Sequence, residues 1–525
     1  MDNPLLQGVL EWDQVKASMK EEVDAVIVGT GCGGAVMAKE LAAAGKSVLM
    51  LERGGLYTPE RNDFDQREDD MLARIDGGRG LHSSENTQAQ FTYGNCVGGA
   101  SVHYWAETWR TPADRCELWA SKYGVEHHSH DELLPFFERI EADLHAHPAL
   151  PEKRNVMNQL FMAGADKAGI QWEDVVQARD ARCIGSGYCV QGCAYNGKQS
   201  QLITHLPMAL QAGARIFADC EVEQLNFTQG RATGLSARFL DRRTNKPSGF
   251  TLDVKAKVVI VSAGGFNSAP LLMRSKVPDP SGQLGKNFQF NPCPQLYGLF
   301  DRDVVLWRNI PCAVGSMQFR LPRFDGGKYV EGGYLLYPNQ LTPAQLGALM
   351  PGFGKPHRAL MEQLHRVGSA IAWIDDQGSG SVRLDDEGKP IWSWTLAGTD
   401  ELIVRDALKK EAIVLLHAGA KEVICPDPRG TRLSDLKELS KIDTIDLRPG
   451  SVTLVGPHPA GMCRMGKDPA TSVVNSDHEV HSVKGLFVCD PSVFPTAVSV
   501  DPSESIMAFS YVAASRLLAS WSKYA

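Results

Sequence analysis

The chain has 525 residues, 43% hydrophobic and 22% charged, proportions of an ordinary globular protein that match disordered, collagen-like and coiled-coil classes poorly. Lys+Arg number 54 against 62 Asp+Glu, a net charge of −8, and no polybasic run interrupts that balance, so nucleic acid is not an expected partner. The opening MDNPLLQGVLEWDQVKASMKEE has no export pattern, and no charge-free apolar run approaches the roughly 18 residues of a membrane helix; a cytoplasmic protein is expected, or a periplasmic one if a partner subunit supplies export.

In chain order the first informative stretch is EVDAVIVGTGCGGAVMAKELAAAGKSVLMLERGG. Val23 to Val28, apolar and β-branched apart from Asp24 and Ala25, reads as a buried parallel strand. Gly29, Gly31 and Gly34 follow as G-x-G-x-x-G, Ala35 to Ala44 supply helix formers stopped by Gly45, and Ser47 to Leu51 form a second strand ending at Glu52. The bare glycine pattern says little; inside a strand, helix, strand unit closed by an acidic residue it predicts a dinucleotide site. Gly29 permits the turn, Gly31 admits a pyrophosphate to the backbone, Gly34 allows close helix packing, and the helix N-terminus offers free N–H groups. Glu52, with Arg53 beside it, is placed to hold ribose hydroxyls.

Next, His127, His128 and His130 invite a metal reading, but Ser129 with Glu132 reads as a capping box opening a solvated amphipathic helix. The twelve cysteines, from Cys32 to Cys489, are too dilute for a disulfide scaffold and suggest a reducing compartment. Three of them, Cys183, Cys189 and Cys193, share the Gly-rich loop ARCIGSGYCVQGCAYNGKQS. Zinc wants a fourth ligand, and the nearest histidine, His205, lies at no standard spacing. A three-thiolate iron–sulfur site, three buried thiols, a reducible disulfide and zinc stay open.

Further on, KAKVVIVSAGGFNSAPLLMRS places a strand at Val258 to Ser262, a turn at Gly264 and Gly265 and a helix from about Ser268; VKGLFVCDPSVFP places another strand at Leu486 to Cys489, ending in Asp490. Between them, residues 290–455 alternate helix and strand poorly and are rich in turns and aromatics, which predicts a mostly antiparallel sheet with helices. Trp392 and Trp394 alternate as core residues of a strand. The fold expected is α/β (α+β overall): a discontinuous Rossmann-like cofactor domain from residues 20–110, 200–289 and 456–525, a helical linker with the cysteine loop over 111–199, and a substrate domain over 290–455.

The glycine fingerprint, the second cluster YGNCVGGASVHYWAETWR, the VVIVSAGG segment and the C-terminal PHPAGMCRMG and GLFVCDPSVFPTAVSVDPSESIMAFSYVAASRLL, in this order, resemble the GMC (glucose-methanol-choline) flavoprotein oxidoreductases from about Val23 to Leu518. The resemblance implies bound FAD and oxidation of an alcohol by hydride transfer to flavin N5. It implies that Gly98, Gly99 and Ser101 lie against the flavin and pyrophosphate, with His103 either bonded covalently to the flavin or buried and hydrogen-bonded. It further implies cofactor contacts from Val222, Ala263, Gly264 and Asp490, and from Pro502 and Ser503 at the start of a helix whose positive end faces the flavin.

His458, before Pro459, matches the family's catalytic base, the neutral imidazole best suited to taking a hydroxyl proton. Asp501 stands where most members carry Asn or His, and an ionised carboxylate cannot donate to a substrate oxygen. Either Asp501 orients His458, or it is held protonated, or it caps the last helix. The cysteine spacing is similar to that of a branch of GMC dehydrogenases whose Cys183, Cys189 and Cys193 equivalents hold a [3Fe-4S] cluster; that resemblance implies electrons leaving through the cluster to a cytochrome or quinone, with a small escort subunit. The alternatives are an oxidase reducing O2 to H2O2, a non-redox lyase of the same fold, and an electron-transfer subunit.

Overall fold

The glycine-punctuated unit folds as its side chains dictate. In the computed structural model, which describes residues 3–78 and 82–525, a short strand β1 (Val9–Leu10) precedes β2 (Met19–Val28), α1 (Cys32–Ala43) and β3 (Val48–Leu51). Ala25 to Val28 are all buried, as a central parallel strand requires, and each Val or Ile so buried contributes about 1.5–3 kcal/mol. Helix α1 begins ahead of the expected Ala35 because Gly33 and Gly34 enter its first turn. A Cβ on Gly33 would stand 1.8 Å from the Cys489 carbonyl oxygen, and one on Gly34 2.2 Å from that of Gly29; only glycine lets the helix sit this close to the sheet.

The chain then passes through α2 (His130–Asp143) and the cysteine loop before returning as β4 (Arg215–Phe217), β5 (Cys220–Thr228), β6 (Arg231–Asp241), β7 (Lys246–Val261) and α3 (Ser268–Arg274). Its middle supplies β8 (Gln295–Leu299), β9 (Tyr334–Pro338), β10 (Val367–Ile374), α4 (Thr399–His417), β11 (Glu422–Ile424) and β12 (Arg432–Leu433), and its end β13 (Leu486–Val488) and α5 (Ser503–Ala519).

The first sheet is ordered β1, β4, β3, β2, β7, β6, β5, with β13 also paired to β7. Its core pairings are parallel, while β6 and β5 extend it antiparallel. Val28 faces both Leu51 and Val261, and Val261 faces Val488. Four parallel strands therefore end level, and the residues after them, Gly29, Glu52, Ser262 and Cys489, share the carboxyl edge where open α/β sheets bind ligands.

The second sheet, ordered β9, β10, β8, β11, β12, is wholly antiparallel. Every residue of β10 is buried. Tyr337 pairs with Ile371 and Leu335 with Trp373, which sets Tyr337 and Trp373 on one face. Trp392 and Trp394 are core residues, with Trp392 edge-on to His82 and Phe266.

Ser129 caps α2 as expected, its Oγ accepting from the Glu132 N–H and the Glu132 carboxylate accepting from the Ser129 N–H. The solvated helix start does not extend to His128. That ring is buried against Phe509, with centroids 4.2 Å apart, and its Nε2 lies 3.3 Å from that of His478, because α5 draws the loop before α2 into the core. Among the described residues no helix is long and apolar enough to cross a membrane.

Candidate functional site

At the level strand ends the two glycine clusters meet. Gly29 turns at φ +98°, and a Cβ there would stand 2.2 Å from the Ser262 carbonyl oxygen. The second turn, with Gly98 at φ +97° and Gly99 at φ +58°, folds over the first: a Cβ on Gly99 would lie 2.7 Å from the Gly31 Cα. The Gly98 N–H donates to Thr30 Oγ1 at 3.0 Å, and Ser101 Oγ donates to the Gly98 carbonyl at 2.7 Å while accepting from the Gln201 N–H. Helix α1 starts at Gly31 with no side-chain cap and no acid in its first turn, which leaves its N–H groups and dipole free for an anion.

Glu52 is buried; its carboxylate accepts from the Thr30 N–H at 3.1 Å, Thr30 Oγ1 at 2.7 Å and the Gly54 N–H at 2.9 Å. Burial pushes this carboxyl up, with those hydrogen bonds pulling the other way. Arg53 pairs with Glu221 at 2.9 Å and is partly exposed, next along β5 from the buried Val222. The Ala263 N–H donates to Ser268 Oγ at 3.2 Å, Gly264 at φ +81° has nothing within 4 Å of a would-be Cβ, and buried Asp490 accepts from the Ser492 N–H and Oγ and from Ser268 Oγ. Backbone room at glycines, an uncapped helix N-terminus and a buried acid at the second strand end fit FAD, the cofactor that the resemblance implies. Glu52 and Thr30 would hold its ribose and the N-terminus of α1 its pyrophosphate.

His458 and Asp501, brought from separate loops, stand side by side. The His458 Nε2 lies 3.5 Å from the Asp501 Oδ1, with side chains 13% and 9% exposed. Trp373 of the second sheet packs on the His458 ring, centroids 4.9 Å apart. Burial pushes the imidazole down to about 3 and the Asp501 carboxyl up to about 7, because a charge on either group would be poorly solvated. Asp501 makes no side-chain cap to α5, which removes the capping reading. His458 Nδ1, Asp501 Oδ2, Trp105 Nε1, Trp109 Nε1 and the Tyr337 hydroxyl are buried with no hydrogen-bond partner among the described residues, a cluster of polar groups that a bound ligand would satisfy. His103 donates its Nδ1–H to the Val190 carbonyl, which leaves the lone pair on Nε2.

The residue missed from the sequence is Glu107, in the aromatic run after the second glycine cluster. It is 4% exposed, and burial together with the neighbouring Asp501 holds its carboxyl well above the usual range. An acid flanked by Trp105 and Trp109 was the available signal. Tyr337 and Trp373 read only as sheet aromatics, since nothing local says which face of the second sheet meets the first domain.

The three cysteines do come together. With Arg179 and Lys198 they line a cavity of about 10 Å³, room for at most one water. The Arg179 Nη1 lies 3.4 Å from Cys189 Sγ and 3.9 Å from Cys183 Sγ, and the Lys198 N–H lies 3.5 Å from Cys193 Sγ. One guanidinium nitrogen thus contacts two of the thiols, and among the described residues no three His, Cys, Asp or Glu are arranged to hold a metal. The loop as folded therefore does not fit the expected [3Fe-4S] cluster, which needs three thiolates converging on one body. All twelve cysteines are free thiols.

Comparison with known proteins gives the family and the fold. The GMC oxidoreductase family models match residues 23–293 and 376–510. An uncharacterised GMC-type oxidoreductase of Mycobacterium tuberculosis is 29% identical over 94% of this chain and 76% of its own. A long-chain-alcohol oxidase of Arabidopsis thaliana is 26% identical over 96% and 68%, and a 2-methyl-1,2-propanediol dehydrogenase of Mycolicibacterium austroafricanum 25% identical over 93% of each. Pyridoxine 4-oxidase from Mesorbium loti superposes with a TM-score of 0.69 at 19% identity, over 94% of this chain and 99% of that one, which establishes the shared fold.

Proposed function

We propose, since the chain belongs to the GMC oxidoreductase family, that it oxidises the CH–OH group of an alcohol with an apolar carbon body, using FAD. FAD, when bound, supplies the hydride acceptor at its N5. The observation that carries this reading is the buried His458 and Asp501 pair. A separation of 3.5 Å is too wide for a strong mutual hydrogen bond and suits a substrate oxygen bridging the two groups.

Burial keeps His458 neutral, so its lone pair is ready to take the hydroxyl proton throughout the physiological range. Asp501 in its acid form donates to the same oxygen, as the Asn or His of related sequences would, and stabilises the negative charge that develops there as the proton leaves. Trp373 packs on His458, Trp105 packs beside Trp373 and Trp109 beside Tyr337, an aromatic group that shields the buried pair from water. Their apolar rings are the basis for assigning an apolar substrate body.

For the acceptor we take dioxygen, as the oxidase names of the Arabidopsis relatives suggest. A quinone or cytochrome, with or without an escort subunit, is the competing assignment. The test is anaerobic mixing of holoenzyme with primary alcohols of increasing chain length, followed by admission of air. Loss of the flavin colour with alcohol, its return in air and one peroxide per alcohol support the whole reading. Bleaching that only a quinone or cytochrome reverses overturns the dioxygen assignment, and no bleaching with any alcohol overturns the alcohol assignment in favour of a non-redox lyase.

A further inference from the structure

The cysteine loop departs from cluster chemistry in an informative way. Arg179 and Lys198 are 3% and 2% exposed, yet neither forms an ion pair among the described residues; Glu107 lies within the field of Arg179 without pairing to it. Buried cations demand compensation. The Lys198 ammonium finds it in backbone carbonyls, whereas Arg179 Nη1 faces sulfur, reaching Cys189 and Cys183; the backbone N–H of Lys198 reaches Cys193.

Cations beside partly exposed thiols make the microenvironment of reactive cysteines. Cys183 and Cys193 are partly exposed and Cys189 opens on the shared cavity. One Arg179 nitrogen lies 3.9 Å from the Cys183 sulfur and 3.4 Å from the Cys189 sulfur, so the first two thiols of the loop are neighbours in the fold.

The loop also grips the turn that faces the flavin in the reading above. The Lys198 Nζ donates to the carbonyls of Val102 at 2.7 Å, Tyr104 at 3.1 Å and Cys189. Arg179 Nη2 donates to the Trp105 carbonyl at 2.7 Å, and the Val190 carbonyl accepts from His103. Trp105 in turn packs near Trp373, centroids 6.1 Å apart, the ring that covers His458.

We propose that Cys183 and Cys189 are a peroxide-reactive dithiol, a modification site that closes to a disulfide and reopens with a thiol reductant. The partly exposed Cys183 sulfur attacks one peroxide oxygen; the S–O bond forms, the O–O bond breaks, and water leaves. The Cys189 sulfur then attacks the resulting sulfenic acid, forming the S–S bond and releasing a second water, so that two thiols give two electrons and one hydrogen peroxide becomes two waters. Arg179 assists both sulfurs, and closing the bridge withdraws its sulfur partners. This proposal stands on the loop and does not depend on the alcohol or dioxygen assignments.

The test is peptide mapping of holoenzyme treated with stoichiometric hydrogen peroxide and then alkylated at its free thiols. A linked Cys183 and Cys189 peptide that forms before any other cysteine is modified, and that dithiothreitol reverses, supports the proposal. Arg179→Gln slows bridge formation at least about tenfold while Arg179→Lys largely restores it, and Cys183→Ser, a change at a partly exposed position, abolishes it. Two free thiols after treatment, a rate indifferent to Arg179, or stoichiometric iron and acid-labile sulfide in anaerobically purified protein each overturn it. Flavin bleaching by alcohol, measured on the same samples, reports separately on the proposed function.

Discussion

Asp501→Asn isolates the proton that, in the proposed function, Asp501 donates to the substrate oxygen. Burial raises the Asp501 carboxyl to about 7, whereas His458 stays neutral down to about 3. Between pH 5 and 9 the base is therefore always ready, and only the donor titrates. Above pH 7 the acid form of Asp501 falls about tenfold per pH unit, to roughly one part in a hundred at pH 9. Asparagine keeps an N–H donor of nearly the same shape and carries no proton to lose. The rate of flavin reduction by alcohol, followed by anaerobic stopped flow, should fall with slope about −1 above pH 7 in the native enzyme and stay flat in Asp501→Asn. Asp501→Leu, with no donor, should lose about 10²–10³ in the same rate at pH 6, as expected when one hydrogen bond to developing oxyanion charge is removed. A native profile that is flat from pH 6 to 9, or an Asp501→Asn profile that keeps the fall, refutes the donor role.

His458→Ala should lower the rate of flavin reduction about 10²–10⁴-fold with FAD content unchanged, read by the same stopped-flow assay and by the absorbance ratio of flavin to protein. Gly99→Ala should be purified with little flavin, because its Cβ would stand 2.7 Å from the Gly31 Cα at φ +58°; the absorbance ratio checks it. Asp143 accepts from Lys39 at 2.6 Å and His205 at 3.1 Å, and although burial opposes it, those partners hold its carboxyl below the usual range. Its contribution is therefore complete above the unfolded value of 3.8 and is lost as pH falls toward the lower folded value. Asp143→Asn should cost about 3 kcal/mol at neutral pH in urea unfolding, with the gap to the native protein closing in acid.

The cofactor half of this protein was legible from its sequence because its determinants are local. Gly29, Gly31, Gly34 and Glu52 lie within one strand, helix, strand unit, where hydrophobic period and glycine spacing report directly on backbone shape. The antiparallel character of the second sheet and the capping box at Ser129 were legible for the same reason. What tertiary structure alone decided is protonation and company. Burial in the tertiary structure pushes the Asp501 carboxyl up to about 7, the condition for the donor role proposed above, and His128 turns from solvent to core because α5 lies over it. The cysteine spacing was compatible with a cluster, but spacing does not say what fills the space between three sulfurs. Arg179, adjacent to the loop yet unremarkable in sequence, folds inward against two of them, since dielectric environment and three-dimensional neighbours, which set the chemistry of a thiol or a carboxyl, are not properties of a residue's place in the chain.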